Sequence, residues 1–142
     1  MLWSVQLAVA QTTDNDVVAQ IESAKIGLIT QRLALTPEQS KQFWPVYNQY
    51  SKEKKEIIDA IKGLRGRKAT KTDEELRRDI EKLFELEEKK IALDRRYFKE
   101  FQKVITVRQI AELYKAEQFF KRKLLEELGK RRGGGGQDML DD

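Results

Sequence analysis

The chain has 142 residues, 39% apolar and 37% charged, with 28 basic side chains against 24 acidic and a formal net charge of +4. Cysteine and histidine are both absent, which excludes disulfides, thiol redox chemistry, most zinc sites and the commonest general acid–base residue. Charged helix formers with only two prolines predict an all-α protein, and the interleaving of the two signs predicts solvated helix surfaces.

Residues 1–10 hold a short apolar run ending in Ala8-Val9-Ala10, an A-x-A pattern suited to signal peptidase, with Gln11 following. No Lys or Arg precedes the run, so it reads as a residual, truncated signal peptide of an exported protein. No window approaches the roughly 18 apolar residues of a spanning helix, so stable membrane insertion is not expected. Residues 11–129 then read as one helical domain. Helix one is predicted from Val17 to Leu33, with Ile21, Leu28 and Ile29 at helical spacing behind Asp14, Asn15 and Asp16 as caps.

Thr36-Pro37-Glu38-Gln39 is a capping box. Threonine stands at the cap, proline at the first helical position, glutamate in the first turn and glutamine three residues after the cap. It opens helix two, which carries Phe43, Val46, Tyr47, Tyr50, Ile57, Ile58 and Ile61 and is expected to stop at Gly63. Pro45 removes the hydrogen bond to the Lys41 carbonyl and is expected to kink the helix, while Trp44 and Tyr47 are expected in the core. The connection KGLRGRKATKT contains Lys62, Arg65, Arg67, Lys68 and Lys71 and no acid.

Thr72-Asp73-Glu74-Glu75 is a second box. It starts a long third helix of about 30 residues, or roughly 45 Å. Its apolar positions are Leu76, Ile80, Leu83, Phe84, Ile91, Tyr97, Phe98, Phe101 and Val104. Leu86 and Leu93 widen this stripe to about half the cylinder, more than the roughly 100° that one core requires, so part of it should face a second partner. Helix four is predicted from Val107 to about Leu128, with Ile110, Leu113, Phe120, Leu124 and Leu128 on one face, and residues 130–142 read as a flexible Gly-rich tail.

The start of helix four repeats that of helix two. Thr106 and Gln109 stand at the offset of Thr36 and Gln39, and each threonine follows an apolar residue, Leu35 or Ile105. The wording ITQRL and LTPEQSKQFWPVYNQY, with this second box, resembles the LTxxQ-motif family of Spy/CpxP-like periplasmic proteins over about residues 20 to 128. It looks most like the Bacteroidetes-type branch often labelled sensor of ECF-type sigma factor. Leu35, Thr36 and Gln39 match the first motif fully, and Ile105, Thr106 and Gln109 match the second with isoleucine in place of leucine.

The resemblance implies four helices in two helix-box-helix halves, assembled into an elongated, curved homodimer. It implies an ATP-independent chaperone, or holdase, for unfolded or partly folded proteins in envelope stress. The alternative is an envelope-stress signalling module acting on a membrane regulator such as an anti-sigma factor or sensor kinase. A broad apolar stripe and the basic residues Lys62, Arg65, Arg67, Lys68 and Lys71 suit the first reading, because cations attract acidic clients over a Debye length of about 8–10 Å.

Other chemistries find little support. Some relatives in the wider group bind metal, but Glu85, Glu87, Glu88 and Asp94 sit among Lys82, Lys89, Lys90, Arg95 and Arg96 at spacings that favour intrahelical ion pairs. No nucleophile elbow, Walker loop, dinucleotide fingerprint or Glu-x-x-His pair occurs, so the expectation is a non-enzyme without cofactor or metal. No basic stripe with interleaved aromatics appears, which argues against nucleic acid as a partner.

Overall fold

The computed structural model describes residues 14–66 and 70–133. Among these the fold is all-α: α1 (Asp14–Leu33), α2 (Pro37–Arg65), α3 (Asp73–Gln102) and α4 (Val107–Gly133). None of these helices is long and apolar enough to cross a membrane.

The helix starts lie where the boxes place them. Thr36 and Thr72 adopt extended conformations, their hydroxyl oxygens accept from the amides of Gln39 and Glu75, and their own N–H groups donate to the side-chain oxygens of those residues. Two orphan amides per helix are satisfied in this way. The helix ends differ from expectation. α2 runs past Gly63 to Arg65, with Gly66 as an extended C-cap, and α4 runs past Leu128 to Gly133. A glycine inside a helix costs only about 1 kcal/mol relative to alanine, too little to stop a helix that already has its hydrogen bonds. The predicted tail is therefore helical at its start, and its remainder, like the predicted signal segment, lies outside the described residues. α1 also begins earlier, at Asp14, so its acidic residues occupy the first turn, where the helix dipole favours them.

Residues 35–111 form one compact unit. Within it α2 and α3 pack side by side. Pairs such as Glu53 with Arg96 and Arg65 with Glu87 show that the helices run antiparallel. Their seam buries Phe43, Tyr47, Tyr50, Ile57 and Ile61 of α2 and Leu86, Leu93, Tyr97 and Phe101 of α3. Phe101 lies 5.6 Å from the Phe43 ring and 5.7 Å edge-on to Tyr50, and both phenylalanines are 0% exposed. Such aromatic pairs contribute about 0.5–1.5 kcal/mol beyond area burial. Trp44 is half-buried and stands edge-on to Phe43 and Tyr47. α2 continues through Pro45, which is exposed and lacks the N–H that would have reached Lys41.

Two tyrosines cross the seam in opposite directions. Tyr50 of α2 donates to Asp94 Oδ1 at 2.7 Å, where Lys54 also reaches at 3.3 Å. Tyr97 of α3 donates to Glu53, which Arg96 contacts at 2.7 Å. Each buried phenol therefore keeps a polar partner at the seam's edge, as burial of a hydroxyl demands. Hydrogen bonding from Tyr97, then from Arg96, holds the Glu53 carboxyl below its ordinary range, while burial, then the Glu53 carboxylate, pushes the Tyr97 phenol up. Asp94 and Arg96, expected to pair within their own helix, thus bridge to α2. Lys82–Glu85 and Lys90–Glu87 do pair within α3, at 3.1 and 2.6 Å.

The second compact unit comprises the chain up to Ala34 and from Glu112 onward. Among the described residues it buries Val17, Ile29 and Leu33 of α1 and Leu113, Ala116 and Phe120 of α4. Lys25 of α1 pairs with Glu117 of α4 at 3.2 Å, and the Arg32 guanidinium lies 5.5 Å from the centre of the Phe119 ring. α1 stops at Ala34, whose φ of 48° is left-handed, a position where helices commonly carry glycine.

Candidate functional site

The boxes that open α2 and α4 meet. Thr106 and Gln109 repeat the geometry of the first box, with the Gln109 amide donating to Thr106 Oγ1 at 3.1 Å and the Thr106 amide donating to Gln109 Oε1 at 2.9 Å. The two glutamines, 70 positions apart, then exchange hydrogen bonds: Gln39 Nε2 donates to Gln109 Oε1 at 3.0 Å, and Gln109 Nε2 donates to Gln39 Oε1 at 3.1 Å. Each carbonyl oxygen thus accepts twice, once from its own cap and once from the other glutamine, which fills both lone pairs.

The apolar residues before the boxes are inward-facing to different degrees, Ile105 buried at 4% exposure and Leu35 half-buried. This is a neutral clasp joining the first turns of α2 and α4. Primary amides do not titrate in the physiological range and have no route to proton transfer, so the clasp positions helices. Periodicity has no means of finding a contact at this separation, but the equal offsets of the two boxes were a signal that they act alike.

α3 carries a second apolar face. Ile80, Phe84, Ile91 and Phe98 are 52, 58, 53 and 36% exposed, and their steps of four, seven and seven residues keep them within about 40° of one another on the helix. The buried side of α3, with Leu86, Leu93, Tyr97 and Phe101, is centred about 120° away. All four stripe residues stood in the apolar pattern read from the sequence, yet all four lie outside the core. Charges border the stripe as short-range pairs, such as Arg77 with Glu74 at 3.0 Å.

The basic connection is less uniform than its sequence suggests. Lys62 is exposed, Arg65 approaches Glu87 at 3.9 Å, and Lys71 is paired with Asp79. Arg67 and Lys68 lie outside the described residues.

Between α1 and α4 lies an open groove of about 460 Å³, lined by Arg32, Tyr114, Lys115, Gln118, Phe119 and Arg122. The sequence reading did not single it out, because its one α1 residue and its α4 residues come together only in the folded unit. Among the described residues no group of three or more histidine, cysteine, aspartate or glutamate side chains is placed to hold a metal ion. Compared with protein-family models, curated proteins and solved structures, the chain matches none.

Proposed function

We propose that the protein is a periplasmic, ATP-independent holdase that binds unfolded or partly folded chains through the open stripe of α3, and that it acts as a homodimer. The observation that carries this reading is the exposure of Ile80, Phe84, Ile91 and Phe98 on one line of a helix whose other side is packed. Four side chains, three of them about half exposed and Phe98 about a third, offer roughly 1 kcal/mol apiece on full burial. A total near 4 kcal/mol does no more than match the lower estimates of the cost of association. Such a surface holds clients weakly and releases them without a fuel molecule. The paired charges beside it keep the stripe soluble between encounters.

Aggregation of a chemically denatured test protein measures this directly, with suppression expected at near-stoichiometric amounts. Ile91→Lys should abolish suppression while leaving the sedimentation coefficient unchanged. Unaltered suppression would remove the stripe from the client surface. Loss of suppression together with conversion of a dimer to a monomer would assign the stripe to self-association instead, and would overturn the proposed site.

A further inference from the structure

The groove between α1 and α4 differs from the α3 stripe in charge. Three of its six lining residues are cations and none is an acid. Lys115 is held by Glu112 at 3.0 Å, whereas neither Arg32 nor Arg122 makes an ion pair among the described residues. Arg32 instead lies over the ring of Phe119 at 5.5 Å and is exposed, and a planar guanidinium carries donors that match a carboxylate. Two such guanidiniums beside Phe119 and Tyr114 suit a short acidic segment that also carries apolar side chains.

The chain contains one. Beyond α4 the sequence is Gly-Gly-Gly followed by Gln137-Asp138-Met139-Leu140-Asp141-Asp142, three acids around Met-Leu. Glycines tolerate the backbone angles needed to reverse direction after a helix. Phe119 lies 14 residues inside the end of α4, about 21 Å at 1.5 Å per residue, and Leu140 stands seven residues past that end, a reach of about 23 Å when extended. The segment therefore spans the return to the groove. Tethering gives it an effective concentration of order millimolar, so even a weak site is substantially occupied.

We infer that the groove of Arg32, Phe119 and Arg122 binds the chain's own acidic segment, residues 137–142. The charge of Asp138, Asp141 and Asp142 complements the two guanidiniums, and the apolar Met139 and Leu140 suit the aromatic rings beside them. This inference does not rest on the holdase reading, and its test involves no client.

Because the chain has no cysteine, Gln137→Cys accepts a single nitroxide on the otherwise intact protein. Paramagnetic relaxation of the Gln118 and Phe119 amides should be at least about threefold stronger with the native acids than with D138N/D141N/D142N. It should fall to the neutralised level in Arg32→Gln/Arg122→Gln, and also in about 1 M salt, where the Debye length is near 3 Å. Equal relaxation with and without the acids overturns the inference. So does relaxation that arises only between nitroxide-bearing and isotope-labelled chains in a mixture, which would place the segment on a second copy. A groove that is free in the full chain yet is filled by added Asp-Met-Leu-Asp-Asp peptide also overturns it, in favour of a separate acidic partner.

Discussion

The two sides of α3 are made from nearly the same residue types and end in opposite environments. One side presents Leu86, Leu93, Tyr97 and Phe101 to α2 and is buried; the other presents Ile80, Phe84, Ile91 and Phe98 and is open. Composition does not separate them, since each has large aliphatic and aromatic side chains. What separates them is the available partner. α2 brings Phe43, Tyr47, Tyr50, Ile57 and Ile61 on a matching antiparallel line, and one helix covers only one stripe of its neighbour. The lesson is that an apolar arc wider than a single neighbour can cover is a surplus, and surplus apolar surface is where binding is to be sought.

The sharpest way to break this comparison is to truncate one ring on each side. Phe101→Ala removes a fully buried ring in contact with Phe43, Tyr50 and Tyr97, and should cost about 3–5 kcal/mol in urea unfolding. Phe84→Ala, at 58% exposure, should change stability by no more than about 0.5 kcal/mol while weakening client binding. Similar costs at the two positions would mean that the open stripe is covered in solution.

A smaller effect tests how the packed side is held at its end. Gln39→Ala removes a cap and leaves Gln109 without its amide partner, a loss of about 1–2 kcal/mol. The double variant with Gln109→Ala should cost less than the sum of the two singles, with a coupling of about 1 kcal/mol. Additive effects would show that the two boxes act separately. Gln39→Glu keeps the acceptor for the Thr36 amide but loses the donor to Gln109, and so isolates the contact between the boxes.

The smallest expected effect is in pH. Glu53 has its folded pKa lowered, by Tyr97 first and Arg96 next. Its contribution is therefore fully present above the unfolded value and is lost as pH falls through the folded one. Glu53→Gln should flatten the acid limb of stability against pH below about 4.5, the ordinary value for this group. At the alkaline end the sign reverses: Tyr97, raised chiefly by burial, stabilises below its unfolded value and loses that contribution as pH rises through the folded one. An acid limb identical in Glu53→Gln and the unaltered protein would mean that this edge of the seam contributes nothing to the difference between the sides of α3.

Much of this architecture is legible in the residues. The three boxes at Thr36, Thr72 and Thr106 mark helix starts because side chain and amide lie three residues apart, a purely local relation. The length of α3 and the excess width of its apolar arc follow from spacing alone. Helix ends were less legible at Gly63 and Leu128, since termination depends on a small glycine penalty set against the bonds the helix keeps. The cross-seam partners of Asp94 and Arg96 were hidden because an equally good partner lay three or four residues away on the same helix.

Local pattern is enough to say which segments are helical, where three of them begin, and that α3 has more apolar arc than one neighbour can cover, because capping and amphipathic period depend on residues a few positions apart. Packing between helices is what selects the buried part of that arc, brings Gln39 and Gln109 into their clasp and sets Arg32 over Phe119. Those are contacts between residues far apart in the chain, and they exist only once helix packing has brought distant surfaces within a few ångströms.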